Sequence, residues 1–313
     1  MLGSRFSRRL MVSGGVLAAF GLVAGVWQKR RRARVRALYQ VSLTKPEGPM
    51  AVYHLGHSLV GRDMPAMLAQ MAGHEFASQL GWGTPLRDHL DPDLPINGFA
   101  EENAHDQFRP AHEAVQSGEY AALILTEMVE LRDAIRYHKS ADTLAAWAGM
   151  GRQAQVDLRV YLYETWHPTD DPKGWLTRID VDLSELWEGK VALPAADKAG
   201  IPVYVIPAGQ VLARFVRAVD AAGGVGNVAG RDALFATTED GTLDTIHLSD
   251  LGNYLVACTH YAALYQRSPE GLPLALSKAD GTLADAPDAD AGALMQKTAW
   301  DVVRSYPLSG FSA

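Results

Sequence analysis

The sequence predicts an α/β protein with a parallel sheet of about five strands and helices on both faces. Three observations carry this. Short, continuously apolar runs recur along the chain, as strands buried on both faces require. Each run is followed by a segment with helical spacing, which implies crossover connections and parallel strands. The composition, 48% hydrophobic and 21% charged over 313 residues, is globular and long enough to bury a large core.

The elements follow in order. Met50 to Leu55 is the first apolar run and ends at Gly56. Asp63 to Ala72 has helical spacing, with Asp63 as N-cap and Pro65 in the first turn. Glu75 to Leu80 reads as a second strand, closed by Gly81-Trp82-Gly83. Residues 84–110 are polar and Pro-rich and read as a surface loop. Ala121 to Thr126 is the clearest strand, and helical spacing runs from there to about Gln155. Leu158 to Tyr163 is a strand that ends in Glu164-Thr165-Trp166-His167. Thr169 to Leu193 reads as a helical excursion or a substrate flap. Pro202 to Ile206 is the last strong strand and precedes a helix to about Ala222. A Gly-rich connection leads to a loop carrying Asp244 and His247. Asp250 to Tyr265 and about Leu294 to Tyr306 are then amphipathic helices.

The N-terminus is of another kind. Of 29 Lys/Arg and 36 Asp/Glu in all, ten basic and no acidic residues fall within 1–45. Nineteen basic residues remain for 46–313, a formal −17. So acidic a body repels phosphates and argues against nucleic-acid binding. Leu10 to Trp27 carries no charge and lies between Arg5, Arg8 and Arg9 and a cluster from Lys29 to Arg36. Eighteen helical residues span about 27 Å, near the lower limit for a bilayer. The segment reads as a signal peptide, a signal anchor or a permanent membrane helix. Ser7 to Val12 loosely resembles a twin-arginine signal, which favours a periplasmic body. The basic cluster after the apolar run favours a cytoplasmic one. The expected organisation is therefore an anchor and basic linker over 1–45, outside the fold, and a catalytic domain over 46–313. The single cysteine, Cys258, precludes an internal disulfide. No metal or nucleotide signature occurs, and no cofactor is expected.

The chemistry points to three residues. Ser58 follows the first strand, at the sheet edge where open α/β proteins bind ligands. Asp244 and His247 stand three apart just before a helix. A serine hydroxyl needs a base, and a carboxylate fixes the tautomer of the imidazole that serves as one. Ser58, His247 and Asp244 thus form a candidate nucleophile, base and orienter. The glycines Gly81 and Gly83 let backbone approach a ligand and offer N–H groups to an oxyanion.

Gly56-His57-Ser58-Leu59 and Asp244-Thr245-Ile246-His247, in this order and placement, resemble the first and fifth blocks of the SGNH (GDSL-type) hydrolases. The likeness spans roughly residues 50–265. It implies a three-layer α/β/α sandwich, a Ser-His-Asp triad, and Gly81 or Gly83 as the second-block glycine. His57 stands where the family has Asp. The third block departs: the family has Gly-x-Asn-Asp, with Asn donating to the oxyanion, whereas this chain reads Leu125-Thr126-Glu127-Met128. Thr126 or the Trp166 indole remains as a substitute donor, and Glu127 as a site or structural residue. The resemblance implies an esterase, with acyl esters of carbohydrate as one substrate class. Acyl transfer on the same triad, or a membrane-anchored binding protein without turnover, are the alternatives.

Overall fold

The computed structural model describes residues 29–238 and 240–311. Five parallel strands form the central sheet: β1 (Val52–His57), β2 (Phe76–Gly81), β3 (Ala122–Leu125), β4 (Arg159–Glu164) and β5 (Tyr204–Pro207). Their spatial order is β2-β1-β3-β4-β5. Every pairing is parallel, as the alternation of apolar runs and helices predicts. The chain starts in the middle of the sheet, winds out to β2, then crosses back to β3. The C-terminal ends of β1, β2 and β3 therefore lie side by side.

Alternate residues of each strand feed two separate cores. Val52, Ile124, Tyr161, Tyr163 and Ile206 pack on one face with α1 (Asp63–Ala72), α5 (Ala208–Ala222), α6 (Asp250–Tyr265) and α7 (Ala289–Ser305). Tyr53, Leu55, Leu123, Val160, Leu162 and Val205 pack on the other with α2 (Ala111–Ser117), α3 (Ser140–Ala154) and α4 (Leu193–Ala199). This two-sided burial is why the strands read as continuous apolar runs.

Several local expectations change. Residues 84–110 carry two short helices, Leu86–Leu90 and Phe99–Glu102, and bury Leu86, His89 and Asn103. The long helix expected to reach Gln155 is broken at Lys139, whose φ is 53°; Leu131–Tyr137 and α3 lie on either side. Within Thr169 to Leu193, residues 169–174 form turns and the rest is helical from Trp175, passing through a π-helical stretch, Leu183–Ala192. Its Trp175 and Trp187 are buried, so it is part of the core and not a flap. Asp63 opens α1 but does not cap it: Arg62 holds the N-cap position, and Asp63 Oδ1 accepts from the Ala279 N–H at 2.9 Å. The Asp244/His247 loop is a strand, β7 (Leu243–Leu248), paired antiparallel with β6 (Phe235–Thr237).

The apolar stretch Leu10 to Trp27 lies outside the described residues. Among the described residues no helix is long and apolar enough to cross a membrane. The sequence puts residues 29–45 outside the fold, but they pack on it. Residues 29–38 are helical, with Val35 buried and Arg31 2.5 Å from Asp197. Arg34 pairs with the same carboxylate. The Tyr39 hydroxyl donates to Val203 O at 2.8 Å, and Leu43 N–H to Gly310 O at 2.9 Å. Sequence reading missed this because a basic run looks like a linker until its acidic partner is placed opposite.

Candidate active site

Ser58 sits in the turn that leaves β1. That turn is tight: the Val60 N–H donates to His57 O at 2.9 Å. A Cβ at Gly56 would stand 2.6 Å from Thr126 Cβ, so only glycine lets β1 and β3 approach here. His57 is buried beneath the turn. Its Nε2 lies 2.8 Å from Glu127 O, and a carbonyl only accepts, so Nε2 carries the proton. Nδ1 faces the Leu59 N–H at 3.4 Å. Burial pushes the His57 imidazole down to about 4, and it stays neutral at neutral pH.

Asp244 and His247 come from β7. Asp244 Oδ1 accepts from the Ile246 N–H at 2.7 Å and the His247 N–H at 2.8 Å, which closes a local turn. Asp244 Oδ2 then lies 2.8 Å from His247 Nδ1. A carboxylate accepts only, so Nδ1 bears hydrogen and the Nε2 lone pair is exposed. That Nε2 lies 3.0 Å from Ser58 Oγ. Partial burial opposes the Asp244 charge. The N–H groups of His247 and Ile246 and the imidazole outweigh it and hold the carboxyl below the usual range. The structure thus brings together the three residues singled out in the sequence, across 189 positions of chain.

The loop is held from behind as well. Trp166 Nε1 donates to Ile246 O at 2.8 Å, and the Thr169 N–H to Thr245 O at 2.8 Å. Ser249 caps α6 through the Gly252 N–H and donates to Ala233 O at 2.7 Å.

Ser58 and His247 open into a cleft of about 1050 Å³. Of the other expected site residues, only Gly83 lines it. Its φ is +56°, and open space lies where a Cβ would stand. Gly81 lies inside β2, opposite His57, with Ile96 against it. Thr126 is fully buried under Gly56. Glu127 is also fully buried, accepting from the Leu86 N–H at 3.1 Å and the Met128 N–H at 2.9 Å. Burial raises its carboxyl above the usual range. Its carboxylate joins the segment after β2 to the turn after β3 and does not line the cleft. Trp166 is committed to Ile246, so its indole N–H is not available to an oxyanion.

Sequence reading missed much of the cleft wall: Arg62, Glu102, Asp106, Lys278 and Asp280. They come from loops whose polar composition signals exposure and nothing finer. Trp82 is the main apolar surface there, 52% exposed. One side of its ring lies on Gly98, where a Cβ would collide with it. Its Nε1 donates to Glu102 Oε1 at 2.8 Å. Among the described residues no cluster of three or more metal-ligating side chains occurs.

No family model and no curated protein sequence matches the chain. Solved structures do. One is described as a GDSL-like lipase from Parabacteroides merdae, at 11% identity, covering 72% of this chain and 99% of that one, with a TM-score of 0.42. Another is the tail fiber protein gp63.1 of an E. coli phage, at 13% identity, covering 74% of this chain and 28% of that one, TM-score 0.40. A third is a carbohydrate esterase family 3 structure from Talaromyces cellulolyticus, at 15% identity, covering 69% and 96%, TM-score 0.34. Likenesses this distant carry no argument here; the fold is given by the sheet topology and the chemistry by the site itself.

Proposed function

We propose that the chain is a serine hydrolase that cleaves acyl esters, with carbohydrate O-acyl esters as its substrate class. One observation carries the reading: the relay from Asp244 Oδ2 to His247 Nδ1 and from His247 Nε2 to Ser58 Oγ, at 2.8 and 3.0 Å. Such a chain of contacts activates a hydroxyl and has no evident structural task, since the His247 side chain is 45% exposed.

Ser58 Oγ attacks the acyl carbonyl while His247 Nε2 takes its proton. The tetrahedral oxyanion is met by the backbone N–H groups of Ser58 and Gly83. Collapse expels the sugar alkoxide, which receives the proton from His247. Water then enters, gives a proton to His247 and attacks the acyl-enzyme carbonyl. Ser58 leaves with that proton, and a carboxylic acid is released. Asp244 stays ionised and stabilises the imidazolium at both steps.

The carbohydrate assignment draws on the wall. Trp82 offers an exposed ring face of the kind that covers the C–H face of a pyranose. Glu102, Asp106, Asp280 and Lys278 line the same cleft with groups that bond hydroxyls. In this reading the body is held at a membrane through residues 10–27. The test is fluorophosphonate labelling of the folded protein, with the adduct located by mass spectrometry. An adduct on Ser58 that is lost in His247→Ala supports the activated nucleophile. Unlabelled, folded protein removes the hydrolase reading and leaves a binding protein on the same scaffold.

A further inference from the structure

The basic helix, residues 29–38, has two unlike sides. One is pinned to the body by buried Val35 and by Arg31 and Arg34 on Asp197. The other presents Lys29, Arg30, Arg32 and Arg36, all exposed. The remainder of the chain, 46–313, is formally −17, so this is a concentrated positive face on an acidic protein.

Its place in the fold is fixed by strand polarity. Tyr39 bonds to Val203, just before β5 begins. Arg159, the first residue of β4, donates to Thr44 O. Asp197 lies near the end of α4, which leads into the same end of β5. All three contacts lie at the N-terminal edge of the sheet. Ser58 lies past the C-terminal end of β1. A six-residue strand separates the two edges by about 20 Å.

We propose that the exposed face of this helix rests on an anionic lipid surface and holds the cleft on the far side of the body, open to water. Charge complementarity selects an anionic partner. Lipid is favoured over a soluble polyanion because the uncharged stretch Leu10 to Trp27 immediately precedes the helix in sequence. The orientation narrows the proposed ester chemistry, on which that one consequence rests. An acyl ester embedded in the same bilayer cannot reach Ser58, whereas a soluble or polymeric ester reaches it from the aqueous side.

The test uses the full chain and needs no turnover, so it is independent of the hydrolase reading. The one cysteine is buried, so a thiol-reactive fluorophore can be placed at Ala37→Cys on the basic helix or at Ala104→Cys on the cleft rim. Both positions are exposed. The protein is reconstituted in phosphatidylcholine vesicles with and without phosphatidylglycerol, each containing a lipid with a quencher on its headgroup. The label at 37 should be quenched, more strongly with phosphatidylglycerol, and the label at 104 should not. Each basic residue at such a surface is worth roughly fivefold in association. Charge reversal at Arg30, Arg32 and Arg36 together should therefore abolish the phosphatidylglycerol-dependent part. Equal quenching at both sites would overturn the orientation. Quenching at 37 that ignores both phosphatidylglycerol and charge reversal would overturn the lipid contact, and leave the helix for an acidic protein or polyanion.

Discussion

Asp244 shows how much one carboxylate determines. It closes its own turn through two backbone N–H groups and fixes the His247 tautomer with the remaining oxygen. Replacing Asp244 with Asn preserves the shape but presents an amide N–H2 to part of this set, which disfavours the tautomer with a free Nε2. Turnover of a soluble ester should fall by about 10⁴, as for the equivalent change in other triads, with the fold intact by circular dichroism. A loss of less than tenfold would mean that Asp244 does not orient the base. Trp82 makes a different prediction, because in the proposed reading it would meet the sugar and not the reacting atoms. Trp82→Ala should raise KM for an acylated oligosaccharide by about tenfold, the scale of a lost aromatic contact. It should leave kcat on a small acetyl ester nearly unchanged. Equal effects on both substrates would count against a sugar platform.

At the scale of elements, β7, which carries Asp244 and His247, is held by the segment that follows β4. Trp166 and Thr169 bond its backbone at Ile246 and Thr245. That segment is in turn fixed by a buried charged group. His167 Nε2 lies 3.1 Å from Asp182, and Arg178 pairs with Glu130, Asp171 and Asp182 at 2.6–3.2 Å. Trp166→Phe keeps an aromatic ring but removes the donor to Ile246 and, at this buried position, some packing volume. Small misplacements of catalytic groups are costly, so kcat should fall between about tenfold and 10²-fold with KM little changed. The fluorophosphonate labelling rate of Ser58 should fall in parallel. An unchanged labelling rate would show that β7 holds its place without this bond.

The same elements show what a sequence can and cannot disclose. The strands were legible because burial on both faces leaves apolar runs, and helix α6 because its core positions recur at helical spacing. Ser58, Asp244 and His247 were legible because their chemistry needs those residue types. The role of Trp166 was not, since an indole N–H reads alike whether it meets an oxyanion or a carbonyl. Nor was the choice of Gly83 over Gly81, which depends on Ile96 arriving from a loop.

Across the whole molecule, buried ionisable groups set the pH range of the fold, and two kinds act in opposite directions. His57, His74, His89 and His260 are each pushed by burial down to about 4, and His54 falls well below its ordinary value. Neither ring nitrogen of His54 has a hydrogen-bond partner among the described residues. The unfolded chain takes up these protons near pH 6.5, whereas the folded chain resists until about 4. Within that window the unfolded state binds more protons, so stability falls as the pH falls. Glu164 is the counterweight. Burial at the end of β4 pushes its carboxyl up to about 8, against an unfolded value near 4.5. There the folded state holds the proton longer, so its contribution declines as pH rises from 4.5 to 8. Between about 4.5 and 6.5 five imidazoles oppose Glu164, and the imidazoles should dominate; Glu127, whose carboxyl burial also raises, acts in the same sense as Glu164. Above about 6.5 the imidazoles no longer contribute and Glu164 still does. The melting temperature should therefore peak near pH 6.5 and fall on both sides. Glu164→Gln, which cannot ionise, should flatten the alkaline limb and leave the acid limb steep. His54→Leu should make the acid limb shallower without removing it, since the other four imidazoles remain, and should leave the alkaline limb as it is, with each limb worth on the order of 1–3 kcal/mol per group at its end. Thermal melts at about pH 5, 6.5 and 8 on the three proteins decide it. An alkaline limb unaltered in Glu164→Gln would mean that this carboxyl is ionised in the fold and that its burial is offset by the N–H groups of Gln210, which now lie 3.2–3.3 Å from it.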